Sequence, residues 1–148
     1  VTALFPVDDE WWQHAATEQA APRTYTVFVI APCKFMNANE RHSHWSQRSG
    51  PTALWREEAG DAAAFADVPA LERASITAIV HRTDRRTDCD SHNRYPTVKA
   101  CVDGLVDAGV LPDDCDKYLL ALTTQPGEQV PKSEFPFGVL ELIITEEA

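Results

Sequence analysis

The chain of 148 residues has no apolar run near the ~20 residues that a membrane-spanning helix needs. It has no internal repeat and no low-complexity segment, which argues against a solenoid or a disordered tail. Its four cysteines, Cys33, Cys89, Cys101 and Cys115, form no CxxC pair, so a zinc ribbon is not expected. The remaining zinc arrangement would combine Cys89, Cys115 and a nearby histidine. Residues 1–10 are acidic and lack the basic start of a secretory signal, from which a soluble, cytoplasmic protein with reduced thiols is expected. Basic charge is also scarce: 13 Lys and Arg stand against 23 Asp and Glu, a net charge of −10. That balance speaks against a protein coated with nucleic acid.

What cationic charge there is falls in two stretches. Residues 32–56 hold Lys34, Arg41, Arg48 and Arg56 against Glu40. Residues 73–102 hold Arg73, Arg82, Arg85, Arg86, Arg94 and Lys99 against Asp84, Asp88 and Asp90. A phosphate backbone responds to the local field more than to the total, so these stretches can meet DNA while the acidic remainder repels it.

The chain reads as one domain of about 126 residues, 23–148, behind an N-terminal extension, 1–22, in which Asp8-Asp9-Glu10 would start a short helix carrying Trp11 and Trp12. Residues 24–30, TYTVFVI, are β-branched and aromatic and predict a strand. Residues 33–50 are polar and aperiodic and predict a long loop. A helix is expected from Pro51 to Phe65, packed through Ala53, Leu54, Ala62, Ala63 and Phe65. A strand follows at 74–80, with Ile76, Ala78 and Val80 on one face. After a charged loop at 81–94, Tyr95-Pro96 opens a helix, whose apolar stripe is Val98, Cys101, Val102, Leu105 and Val106 and whose stop is Gly109. Strands are expected at 118–123 and 138–144, joined by a turn-rich connection from Gln125 to Pro136. The order β-α-β-α-β-β predicts an α+β fold, a mixed four-stranded sheet with helices packed on it.

Chemistry is carried by aspartates. Asp88 and Asp90 alternate in an extended stretch and so point to one side, where two carboxylates can approach one cation. Lys99 and Asp103 share a helix face. Asp113-Asp114 follow the helix, whose own length of ~20 Å separates its two ends, so a site using both needs a tertiary or subunit contact. Hard oxygen ligands beside a lysine suit Mg²⁺ and attack on a phosphodiester. Read without that chemistry, such aspartates are caps and solvated turns.

The run Arg85-Arg86-Thr87-Asp88-Cys89-Asp90, then Asn93, Lys99, Asp103, Leu105, Gly109 and Asp113-Asp114, resembles the signature of the RusA family of Holliday-junction resolvases, phage-encoded relatives in particular. The match spans residues 85–114 and is ungapped from Lys99 to Asp114. The resemblance implies a homodimeric, Mg²⁺-dependent endonuclease, with Mn²⁺ as a substitute, that cuts four-way DNA junctions and needs neither an organic cofactor nor a membrane. It implies Asp88, Asp90 and Asp114 as metal ligands, with Asp113 as a lesser candidate, and Lys99 as a catalytic group. It implies DNA contacts from Arg82, Arg85, Arg86 and Arg94, and from the upstream loop bearing Lys34, Asn37, Asn39, Arg41 and Arg48. Ser91-His92 separates Asp90 from Asn93, where the family has Asp and Asn adjacent, and Lys99 lies six residues past Asn93 rather than three. Asp90 fits either alignment; its partner is Asp88 by one and His92 by the other. Two further readings stand beside the nuclease: an inactive binding or structural protein of the same fold, and an acidic inhibitor that mimics DNA.

Overall fold

The computed structural model describes residues 22–38, 46–84 and 91–148, with the side chains of 46, 47, 91 and 92 excepted. The elements are β1 (Thr24–Ile30), α1 (Ser46–Phe65), β2 (Ala74–His81), a 3-10 turn (Ser91–Arg94), α2 (Tyr95–Asp107), β3 (Leu119–Pro126) and β4 (Val139–Glu146). The fold is α+β, with one mixed four-stranded sheet in the order β1-β4-β2-β3. β4 runs antiparallel to both β1 and β2, and β2 runs parallel to β3. The parallel pair needs a crossover, and α2 supplies it.

Alternation along the strands creates one buried face. Val27 and Val29 pair in register with Leu142 and Leu140, while Ile76 and Ala78 pair with Ile144 and Leu142. These side chains are almost fully buried, together with Trp55, Ala59 and Ala63 of α1 and Val98, Cys101, Val102 and Leu105 of α2. They form one apolar cluster. On the opposite sheet face Phe28 and Ile30 are exposed.

Two expectations about α1 are corrected. The helix begins at Ser46, inside the stretch read as a loop, and Pro51 lies within it rather than at its start. The proline ring crowds the N–H and the Cβ of the residue before it, and here that residue is Gly50, which has no Cβ to clash. The packing face is right at Ala63, which is buried, and at Ala62, which packs on the core, but its other members are Trp55 and Ala59, whereas Leu54 is half-exposed and Phe65 is 93% exposed. The strand read at 118–123 runs on to Pro126, so Gln125 and Pro126 belong to the sheet edge rather than to the connection after it.

The helices cross closely because α2 carries Gly104 at the contact. A Cβ there would lie 2.2 Å from the Arg56 carbonyl oxygen of α1. Outside this crossing, Arg56 Nη2 donates to Asp107 Oδ1 at 2.7 Å, tying the helices at their exposed margin. α2 ends as expected, with Gly109 following at φ +80°. Gly109 N–H donates to the Val106 carbonyl and Val110 N–H to the Leu105 carbonyl, a Schellman turn.

Candidate functional site

The segment after α2 does not continue away from the helix. Val110 and Leu111 are buried, and the Val110 carbonyl accepts from Leu71 N–H at 2.8 Å. Anchored there, the chain reverses at Pro112 and brings Asp113-Asp114 back along α2. Lys99 Nζ donates to Asp103 Oδ1 at 2.6 Å and also to Asp114 Oδ2. Asp114 N–H in turn donates to Asp113 Oδ1 at 2.8 Å. Lys99, Asp103 and Asp114 are each about one-third exposed.

The charges sustain one another. Burial works against the Lys99 ammonium, but the hydrogen bonds to Asp103 and Asp114 outweigh it and hold the pKa above its ordinary value. The Asp114 carboxyl is held below its ordinary value by the hydrogen bonds from Lys99 and within the Asp113-Asp114 pair. Both groups are therefore ionised at neutral pH.

This arrangement modifies the expected separation across α2. Lys99 is the fifth residue of a 13-residue helix. Asp114 meets a lysine side chain that also reaches Asp103, so it stands ~6–12 Å of helical rise from the α2 start rather than the full helix length. A single chain accordingly brings the Asp113-Asp114 pair back alongside the middle of α2. Asp88 and Asp90, together with Arg85 and Arg86, lie outside the described residues, as do Asn39 and Arg41, Trp11 and Trp12, Cys89, and the His92 side chain. Among the described residues, no group of three His, Cys, Asp or Glu is placed to hold a metal. Asp114 and Asp113 offer the hard oxygens that Mg²⁺ prefers, two short of a carboxylate set unless Asp88 and Asp90 complete it. Cys115 is an exposed free thiol.

The residues expected to contact DNA fall into two groups. Arg48 and Arg94 are bonded to the chain itself: Arg48 Nη2 donates to the Asn37 carbonyl at 3.3 Å and Arg94 Nη1 to the Phe35 carbonyl at 3.3 Å. They hold the segment 33–38 in place, helped by Trp55 Nε1 on the Lys34 carbonyl and Ala38 N–H on the Asn93 carbonyl. Lys34 is exposed on that segment, and Arg82 is paired with Asp84 at 2.6 Å. Lys34, Arg82 and Arg94, but not Arg48, line a cleft of about 410 Å³. Sequence reasoning missed three further members, Lys132, Pro136 and Phe137, on the β3–β4 connection. That connection has no periodicity, and its placement depends on pairings that only the folded chain makes.

No family model matches the chain, and no curated protein matches it. Among solved structures, the periplasmic domain of MotB (residues 64–256) aligns over 100% of this chain and 89% of its own at 12% identity, with a TM-score of 0.41. No helix among the described residues is long and apolar enough to cross a membrane.

Proposed function

We propose that the protein is a metal-dependent, structure-specific DNA endonuclease of the RusA type, acting as a homodimer on four-way junctions or other branched DNA. The observation that carries the reading is the return of Asp114 onto Lys99, which unites two residues that the motif leaves fifteen positions apart. The cluster suits phosphodiester hydrolysis. As water attacks phosphorus and the P–O bond to the leaving oxygen breaks, negative charge grows on the phosphate oxygens. An ammonium whose pKa is raised stays charged and stabilises that growth. Asp103 and Asp114 orient the ammonium from two sides. Asp114, kept ionised, is also available as a ligand, and Asp88 and Asp90 would join it, with Asp113 and His92 as further donors. When bound, Mg²⁺ or Mn²⁺ supplies positive charge to the phosphate and lowers the pKa of a water. A junction is resolved by paired cuts on strands related by two-fold symmetry, which a two-fold homodimer matches.

The test is cleavage of a synthetic four-way junction by the full chain over a range of Mg²⁺ and Mn²⁺, against Asp90→Asn, Asp114→Asn and Lys99→Ala. Each substitution is expected to lower the cleavage rate at least a hundredfold, roughly the loss on removing a charge-stabilising group. Lys99→Ala should reduce cleavage more than junction affinity. Absence of cleavage by the wild-type chain under all these conditions rejects the nuclease; junction binding without cleavage points instead to a binding module of this fold.

A further inference from the structure

The cleft beside the 3-10 turn concentrates cations in a chain whose net charge is −10. Lys34, Arg82, Arg94 and Lys132 line it with one carboxylate, Asp84, which Arg82 already neutralises at 2.6 Å. Neither Lys34 nor Lys132 pairs with a carboxylate among the described residues, and both are exposed. The two aromatic residues of the cleft are used differently. Phe35 packs on Trp55, with ring centroids 4.9 Å apart, and the Arg94 guanidinium lies 6.0 Å from its centroid. Phe137 remains 41% exposed at the rim.

The walls are built rather than incidental. Val130 N–H donates to the Arg82 carbonyl at 2.8 Å, and Gln129 Nε2 to the Thr83 carbonyl at 3.0 Å, fastening the β3–β4 connection to the end of β2. Behind Phe137, Gly138 has φ +99°, and a Cβ there would meet the His81 carbonyl oxygen at 2.5 Å and the Phe35 ring at 3.1 Å. Only glycine lets the chain next to Phe137 approach the His81 carbonyl this closely. Arg94 lies five residues before Lys99, ~7.5 Å along the helix axis and about 140° around it, so the cleft and the Lys99 cluster are separate features of the same helix end.

We propose that this cleft binds an unpaired DNA strand, its phosphodiester backbone held by Lys34, Arg94 and Lys132 and one base stacked on Phe137. Spaced cations with an outward aromatic ring are what a single strand needs, because duplex bases are already stacked on one another. The choice of DNA as the polymer rests on the nuclease reading above. The cleft would hold a strand that has left its duplex at a branch point.

Binding of a fluorescent oligo-dT strand to the full chain in EDTA, followed by anisotropy, tests this apart from cleavage. Phe137→Ala and Lys132→Glu are each expected to weaken binding about tenfold. Arg73→Glu, at the opposite end of β2, should change it less than twofold. A blunt duplex of matching sequence should bind more weakly and be indifferent to Phe137→Ala. Both target residues are exposed, and circular dichroism of each variant should match the wild type. The proposal is overturned if the wild-type chain does not bind the strand, if Phe137→Ala leaves affinity unchanged, or if all charge reversals weaken binding equally. A chain that binds in this pattern but never cuts overturns the nuclease alone; one that cuts junctions while both variants bind like wild type overturns the cleft alone.

Discussion

Thr97 is fully buried, and its hydroxyl has a defined task. It accepts from Met36 N–H at 2.7 Å and donates to the Met36 carbonyl at 3.4 Å. A buried amide left without a partner costs more than the bond is worth when made. Thr97→Val keeps the shape and strands that amide, and should lower stability by about 1–3 kcal/mol, read as a lower urea midpoint with an unchanged slope. Thr97→Ser should recover most of the loss. The same pair ties Lys34 and its neighbours to α2, so Thr97→Val should also weaken strand binding without removing any charge from the cleft. Legibility at this scale was uneven. Lys99, Asp103 and Asp114 were readable as candidates because their types and spacing carry chemistry. Their meeting was not, because it depends on Val110 and Leu111 anchoring the reversal. Trp55, the largest fully buried side chain among the described residues, went unread because it lies among the charged residues Arg56, Glu57 and Glu58, where no apolar run marks it.

At the scale of elements, all four strands and α2 were legible, since alternation and a 3.6-residue stripe are written directly in the residue types. α1 was legible only in part: an apolar period made mostly of alanine is faint, and Gly50-Pro51 reads as a boundary although the helix passes through it. Alanine and glycine are used there because the α1–α2 crossing is close. Gly104→Ala would set a methyl against the Arg56 carbonyl, forcing the helices apart, and should cost about 1–3 kcal/mol as an overpacked contact. Thermal melts of the variant should show the loss, and the Lys99 cluster on the same helix should move with it, lowering any cleavage rate. The Arg56–Asp107 tie across the helices makes a pH prediction. The hydrogen bond from Arg56 holds the Asp107 carboxyl below its ordinary value of 3.8, against a smaller opposing effect of desolvation. A carboxyl depressed in the folded state contributes stability that is present above the unfolded pKa and is lost as pH falls through the folded one. The stability gap between wild type and Asp107→Asn should therefore be constant across neutral pH and close in acid, below 3.8. A gap that instead narrows toward alkaline pH would show that the pair has no such role.

For the whole molecule, the governing fact is that a net charge of −10 coexists with a compact cationic cleft. The two act at different ranges. Beyond a Debye length of about 10 Å at 0.1 M salt, an approaching DNA strand meets the acidic total; within it, the strand meets Lys34, Arg82, Arg94 and Lys132. Affinity and association rate should therefore respond to salt in different ways. With three phosphates held by Lys34, Arg94 and Lys132, the logarithm of the single-strand affinity should fall with the logarithm of salt at a slope of about −2, roughly a 20-fold loss between 50 and 200 mM. Lys132→Glu should flatten that slope by about one. The association rate should not show the steep rise at low salt that marks an encounter steered by opposite charge, because the long-range field is repulsive. Loss of affinity with salt would then come from faster dissociation. Stopped-flow association and chase dissociation over the same salt series would separate the two, and a steep acceleration of association at low salt would mean that the acidic surfaces face away from the approaching strand.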